Sequence, residues 1–179
     1  RQREQRLREE LREMRTAIDQ FHREAIAGVR LQQPGGAGGG GGAGSGGGPG
    51  PFVDPRVRVG ITDQLIFTQD NPDRYPPDLE TMVRGVSVTP IPGAAGAGAG
   101  GGIAGLDNDK KATDNGLLAT KKKVYLRSIP VDPITGQADW DLRSTYDSSD
   151  ASSWGGENVF DVRSKSTETA LDGTKYNEW

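Results

Sequence analysis

The chain has 179 residues, but 27 of them are glycine and only 32% are hydrophobic, so it can build a smaller core than its length suggests. Its 22 basic and 25 acidic residues give a formal net charge of -3, which favours neither nucleic acid nor an anionic membrane as a partner. The absence of cysteine excludes disulfide frameworks, thiolate nucleophiles and cysteine-based metal sites.

The first predicted element is an amphipathic helix over residues 1–33. Its apolar positions recur at alternating spacings of four and three residues, at Leu7, Leu11, Met14, Ile18, Phe21 and Ala25. We call this set the apolar stripe, and it predicts a helix that packs on one side and ends before Pro34. The stripe is open to two interpretations, a face that covers the core of its own domain or a coiled-coil seam, although the repeat is shorter than coiled coils usually require.

The segment after the helix is predicted to contain little regular structure. Residues 34–51 are rich in glycine and are typical of a flexible linker or insertion. A connecting region over 52–88 includes an alternating pattern that predicts a short strand, at Val57, Val59 and Ile61. A short helix is predicted over 77–85, because two prolines and an acidic first turn precede apolar residues at helical spacing.

The last third of the chain is predicted to be a β-sheet region over 121–179, after a Gly/Ala-rich and polar insertion over 89–120. Residues 124–129 are a strand candidate. Alternating patterns over 139–146 and 158–164 predict the best antiparallel pair in the chain. A long helix followed by a few strands indicates an α+β fold in which the sheet packs on the apolar stripe.

Several motifs follow the helix in a recognisable order. They read DRYPPDLETMV, KKVYLRSIPVDPITGQADWDLRS, NVFDVRSKS and ALDG, followed by a final Trp. In this order they resemble the G-type major pseudopilins of type II secretion and their pilin-like relatives. The resemblance covers residues 1–33, 73–86 and 121–179 and excludes both Gly-rich tracts.

This resemblance implies a pilin-like α+β fold, with a long N-terminal helix packed on a small C-terminal antiparallel sheet and with Gly-rich insertion loops. It also implies a structural subunit of a pilus-like filament, which acts in protein secretion by polymerisation and not as an enzyme. The implied partners are further copies in a helical filament, other pseudopilins and inner-membrane assembly proteins, and the apolar stripe is the implied assembly face of the helix. A secretion pseudopilus, a type IV pilus and a specialised filament remain open alternatives.

The family pattern further implies a precursor with a basic leader, a prepilin-peptidase cleavage site, methylation and an apolar helical segment continuous with Arg1. We expect that apolar segment to precede Arg1, because the predicted helix begins there without an N-cap residue. The implied location is the bacterial cell envelope, either as an inner-membrane-anchored precursor with a periplasmic head or as an extracellular filament.

The sequence offers no catalytic constellation. His22 is the only histidine, so it lacks the second imidazole that a transition-metal site usually needs, and we expect a surface or packing role. No G-x-S-x-G turn is present, and the glycine string over 98–105 follows no predicted strand, which argues against a phosphate-binding loop. We therefore expect no catalytic residue and no firm cofactor.

Calcium is the one metal that the resemblance implies. Asp172 in ALDG matches an acidic position of the loop that holds calcium in similar pseudopilins, and the other ligands are unknown. Where those relatives place another carboxylate, this chain has Lys175, which would repel a cation. The alternative interpretation is a loop that is held by packing of Leu171, Tyr176 and Trp179.

A second function, from another class, remains open. Three tryptophans, Trp140, Trp154 and Trp179, have side chains that could stack on sugars or bases. The alternative to a filament subunit is therefore a soluble module that binds a carbohydrate or a protein without assembling. Packing in the core or at a sheet edge is the simpler use of these side chains in a small domain.

Overall fold

A computed structural model describes residues 1–32, 54, 56–91, 120–151 and 153–179. Its elements, in chain order, are α1 (Gln2–Gln32), β1 (Val59–Ile61), a 3-10 turn (Gln64–Ile66), α2 (Leu79–Arg84), β2 (Val86–Pro90), β3 (Lys121–Lys123), β4 (Trp140–Arg143), β5 (Asp161–Ser164) and a final 3-10 turn (Tyr176–Glu178). The fold is α+β, with an N-terminal helix packed on small antiparallel sheets.

The chain divides into two compact units. Unit 1 comprises Arg1–His22, Gln64–Val86 and Val124–Trp179, and unit 2 comprises Arg23–Asp63 and Ser87–Lys123. Helix α1 contributes residues to both units. The Gly-rich linker predicted over 34–51 and most of the insertion predicted over 89–120 lie outside the described residues.

Helix α1 has the predicted length, with 31 residues. Leu7, Met14, Ile18, Phe21 and Ala25 are 0% exposed and Leu11 is 2% exposed, so the apolar stripe covers the core of its own chain. The stripe, which the resemblance implies as the assembly face of the helix, is therefore buried, and the exposed face of α1 is the opposite, charged one. Among the described residues, no helix combines the length and the apolar character that crossing a membrane requires.

Unit 1 contains the predicted antiparallel pair. Strands β4 and β5 align Trp140 with Ser164 and Leu142 with Val162. Trp140 and Val162 are buried, and the residues between them along each strand alternate to the other face of the hairpin. The hairpin therefore has an inner face in the core and an outer face of charged and aromatic side chains.

The short helix α2 of unit 1 also agrees with the prediction. Its N-cap is Asp78, whose side chain accepts a hydrogen bond from the main-chain N–H of Thr81. Gly85 ends the helix at a φ of 80°, a left-handed conformation that glycine adopts without a side-chain clash. The cap residues thus set the bounds of a helix that is too short to persist alone.

The prediction of a strand over 124–129 is wrong. The main-chain N–H groups of Tyr125 and Leu126 both donate to the carbonyl oxygen of Met82, at 3.0 and 3.2 Å, instead of forming a ladder. The strand lies just before this segment, at Lys121–Lys123, where the sequence is polar and shows no apolar alternation. Pairing with β2 selects this strand, which is a tertiary effect that local pattern does not encode.

Unit 2 contains a three-stranded sheet in the order β1-β2-β3. The strand predicted around Val59 is confirmed as β1, and it pairs antiparallel with β2, with Gly60 opposite Thr89 and Ile61 opposite Val88. The predicted start of the insertion, at residue 89, is thus too early, because β2 continues to Pro90. The expected single C-terminal sheet is in fact two sheets, one in each unit.

Helix α1 and β1 approach backbone to backbone within unit 2. A Cβ atom placed on Gly28 would lie 1.8 Å from the carbonyl oxygen of Ile61, and one on Gly60 would lie 2.8 Å from the Cα of Gly28. Both distances are too short for any side chain. Glycine is therefore needed at both positions for α1 to reach the sheet.

Candidate functional site

The C-terminal segment is fastened to α1 within unit 1, chiefly by Arg15. The Nε of Arg15 donates to Oδ1 of Asp161 at 2.7 Å. Its Nη2 donates to the carbonyl oxygen of Val162 at 3.0 Å and to the main-chain oxygen of Trp179 at 2.7 Å. One guanidinium group therefore joins the helix, β5 and the last residue of the chain.

Glu4 holds the C-terminal loop at a second point. Its Oε1 accepts hydrogen bonds from the main-chain N–H of Leu171 at 2.8 Å and from the hydroxyl of Tyr176 at 3.2 Å. The Leu171 N–H is the main reason that the pKa of Glu4 lies below its usual 4.5. The carboxylate form of Glu4 is thus the one that the loop stabilises.

The interpretation of a loop held by packing is right for two of its three residues. Tyr176 is buried, and its ring centroid lies 5.1 Å from that of Trp179. The guanidinium of Arg8 lies 4.2 Å from the centroid of the Trp179 ring. Leu171, in contrast, is 72% exposed, so its main chain and not its side chain holds the loop.

Asp172, the predicted calcium ligand, has protein partners on both oxygens. Oδ1 accepts from the main-chain N–H and the hydroxyl of Thr174, at 3.0 and 2.6 Å. Oδ2 lies 3.4 Å from Nη2 of Arg8. The hydrogen bond from the Thr174 hydroxyl is the main reason that the pKa of Asp172 is lowered.

These contacts fit a calcium ion poorly. Calcium takes six or more oxygen ligands, whereas Asp172 is beside Arg8 and near Lys175 in sequence. Across residues 1–32, 54, 56–91, 120–151 and 153–179, no group of three or more His, Cys, Asp or Glu side chains is placed to hold a metal ion.

The three tryptophans occupy different environments. Trp140 is 4% exposed, and its Nε1 donates to the carbonyl oxygen of Pro130 at 2.9 Å, so its ring faces the core. Trp179 belongs to the C-terminal fastening, by which we mean the contacts of Arg15 and Arg8 that hold the last residues against α1. Trp154 alone lies over the outer face of the hairpin, where the guanidinium of Arg163 is 3.5 Å from its ring centroid.

Other aromatic and charged groups share this outer face. Arg163 also forms an ion pair with Asp141 at 2.7 Å, and the guanidinium of Arg143 lies 5.5 Å from the ring of Phe160. Phe160 is 38% exposed. The face thus presents partly exposed rings between paired charges, a composition that suits contact with a polar partner.

His22 packs against an aromatic ring. Its ring is stacked on Tyr75, with centroids 3.9 Å apart and an interplanar angle of 2°. Nδ1 is buried and has no hydrogen-bond partner among the described residues. Burial lowers the pKa of His22 below its usual 6.5, which favours the neutral ring.

The exposed face of α1 carries a groove along each edge, and the sequence pattern predicted neither of them. The first, which we call the basic groove, encloses about 410 Å³ and is lined by Arg8, Leu11, Arg12, Arg15, Thr16, Asp19 and Trp179. The second, the acidic groove, encloses about 380 Å³ and is lined by Glu9, Arg12, Glu13, Thr16, Ala17, Gln20 and Tyr125. The sequence shows charged residues at helical spacing on the polar side of α1, and this pattern was the only signal for the grooves. It could not show that Trp179 and Tyr125 line them as well.

Comparison with family models, with curated proteins and with solved structures finds no match for this chain. The arrangement provides a helix with one face buried in its own domain and an opposite face that is grooved and charged. Such a surface suits noncovalent contact with another macromolecule.

Proposed function

We propose that this chain is the head of a structural subunit of a pilus-like filament, a type II secretion pseudopilus or a related assembly, and that it acts in protein secretion by polymerising. The observation that carries the proposal is the division of α1 into two faces. One face is buried in its own domain, whereas the opposite face is exposed along the helix. A helix of this kind can support a folded head and still contact a neighbouring copy along its length.

The fastening of the C-terminal segment supports the same role. Arg15 and Glu4 hold β5 and the last residues against α1 through charge-assisted hydrogen bonds. A filament subunit transmits load through its contacts, and a head fixed to its helix at several points keeps its shape in such an array. The motifs of the sequence and the α+β fold agree with a pilin-like head.

The proposal includes partners and a location. The partners are identical copies in a helical filament, other pseudopilins and inner-membrane assembly proteins. An apolar helical segment ahead of Arg1 would hold the precursor in the inner membrane, with this head in the periplasm, and assembly would carry it into the filament. A head of this kind acts as a scaffold and needs no catalytic residue.

Filament isolation tests the proposal. The complete gene, with the codons upstream of Arg1 and an epitope tag, is expressed in its native host together with the neighbouring assembly genes. We expect the tagged protein in sheared, pelleted filaments by immuno-electron microscopy, and a loss of secretion when the gene is deleted. A tagged protein that stays out of any polymer, with secretion unchanged by the deletion, would overturn the proposal.

One observation favours the second candidate function, a soluble module that binds a carbohydrate or a protein. The outer face of the hairpin combines Trp154, Phe160 and the Arg163–Asp141 pair. Glycan-array binding by the chain that is lost in Trp154→Ala but kept in Trp140→Phe would support this candidate. The absence of glycan binding together with filament incorporation would exclude it.

A further inference from the structure

The charges on the exposed face of α1 are sorted to its two edges. The basic groove has three arginines and one aspartate, and the acidic groove has two glutamates and one arginine. Arg12 and Thr16 line both grooves and so form the ridge between them. The two edges of one helix are thus complementary in charge to each other, which is a property that two copies can use.

Several of these charges are available for a new contact. Within the described part of the chain, no ion pair engages Arg12, Glu9 or Glu13. Arg8 is paired with Asp172 at 3.4 Å, but the two side chains are 63% and 50% exposed, so this pair can exchange at little cost. Arg15 is the exception, since its guanidinium is committed to the C-terminal fastening.

The spacing of these charges is the same on both edges. Arg8 and Arg12 are four residues apart, and so are Glu9 and Glu13. Each pair therefore spans about one helical turn, roughly 6 Å along the axis. Two parallel helices placed side by side can form both ion pairs at once, Arg8 with Glu9 and Arg12 with Glu13 of the neighbour.

We propose that a second copy of this chain docks here, with the acidic groove of one copy against the basic groove of the next. Because the two edges differ, the contact is heterologous, and it repeats from copy to copy as an open filament when the rotation between copies does not close a ring. Tyr125 and Trp179 border the two grooves and add apolar contact beneath the ion pairs. This inference rests on the proposed filament function and names the surface that would join neighbouring heads.

Charge-reversal variants of the chain test this contact by sedimentation equilibrium at low ionic strength. The wild-type chain, of 19.1 kDa, is expected to show a rising average mass with concentration, and this rise is expected to disappear in 1 M salt because exposed ion pairs are screened. Arg12→Glu alone, and Glu9→Lys with Glu13→Lys, are each expected to weaken association at least tenfold. Matched controls that reverse exposed charges outside both grooves, Arg127→Glu and Asp70→Lys with Glu80→Lys, are expected to associate like the wild type.

Mixing separates a lost contact from a damaged fold. Each groove variant is expected to be monomeric alone, yet an equimolar mixture of Arg12→Glu with the Glu9→Lys and Glu13→Lys variant is expected to associate. In that mixture the double variant supplies an intact basic groove. The Arg12→Glu variant supplies an acidic groove with one more carboxylate. A wild type that remains monomeric at millimolar concentration, groove variants that associate normally, or a mixture without rescue would each overturn the docking proposal.

The same variants in the filament assay distinguish this inference from the function on which it rests. Wild-type filaments that are unaffected by charge reversal in both grooves would refute the docking surface and leave the filament function standing. Self-association of the purified chain through the grooves, without filaments in cells, would support the docking surface and refute the filament function.

Discussion

Arg15 connects three separate parts of unit 1 through one side chain. Its planar guanidinium donates to a carboxylate on β5, to the carbonyl oxygen of the next residue on that strand and to the main chain of Trp179. A lysine has one compact donor head and cannot reproduce this divided geometry. The contact is long-range in sequence, because Arg15 and Trp179 are 164 residues apart.

Arg15→Lys is expected to lower the free energy of unfolding by about 1–2 kcal/mol, because two or more charge-assisted hydrogen bonds are lost at a partly exposed site. Urea denaturation followed by circular dichroism measures this difference. Arg12→Lys is the matched control, since Arg12 is on the same helix without an ion partner among the described residues, and it is expected to change stability by less than about 0.5 kcal/mol. Equal effects of the two substitutions would contradict the role given to Arg15.

The lowered pKa of His22 predicts a loss of stability in mildly acidic solution. Its pKa is lowered by burial, while main-chain carbonyl groups at Arg74 and Asp73 and the Asp19 carboxylate oppose this effect. Since the folded state favours the neutral ring, the stability that His22 contributes is complete above pH 6.5 and is lost as the pH falls through the lower folded-state pKa. We expect unfolding midpoints in urea to decrease between pH 7 and pH 5.

His22→Phe is the control for this pH effect, because it can keep the stack on Tyr75 and removes the titrating group. In this variant the decrease between pH 7 and pH 5 is expected to be smaller than in the wild type. The carboxyl groups with lowered pKa values affect stability at lower pH than this range, because their ordinary pKa values are 4.5 for Glu and 3.8 for Asp. These groups are Glu4, Asp147, Asp150 and Asp172. A His22→Phe variant with the same pH profile as the wild type would show that the ring does not cause the change.

At the scale of elements, the chain's local patterns predict the helices and the strands that have one apolar face. The 3.6-residue period of α1 and the alternation of β4 and β5 both reflect burial on one side, which the sequence records directly. Strand β3 has three lysines and was missed, because its place is decided by pairing with β2. The fold class could thus be predicted, whereas the division into two sheets could not.

Gly28→Ala is expected to destabilise unit 2 by about 1–3 kcal/mol, the usual cost of overpacking a tight contact. The new methyl group would lie 1.8 Å from the Ile61 carbonyl oxygen, and a main-chain atom cannot rotate away as a side chain can. Hydrogen exchange of the β1 amides measures the effect. Ala27→Gly, one position earlier on α1, is the control, and it is expected to cost about 1 kcal/mol through helix propensity alone.

For the molecule as a whole, the candidate site combines features that the sequence shows with others that it does not. The charges of α1 are visible in the sequence, but each groove also needs an aromatic side chain from far along the chain, Trp179 or Tyr125. The same is true of the loop that contains Asp172, where one partner of the carboxylate is Arg8, 164 residues away in the chain. Contacts across more than a hundred residues depend on the complete fold.

Calcium is expected to leave the thermal stability of the whole chain unchanged. A ligand present at 100 times its dissociation constant stabilises a protein by about 2.7 kcal/mol, which is several degrees in a chain of this size. We expect melting temperatures in excess CaCl2 and in EDTA to agree within about 1 °C, with MgCl2 as the control. A calcium-specific rise that disappears in Asp172→Asn would instead establish the metal site.

The backbone contact between Gly28 and Gly60 also limits how this protein can evolve. Neither position tolerates a side chain while the other backbone stays in place, so a substitution at one of them demands a displacement of β1. We expect descendants of this sequence to retain both glycines or to lose them together, along with a wider helix-to-strand separation. An otherwise similar homologue with a bulky residue at only one position would mark the lineage in which this packing was rebuilt.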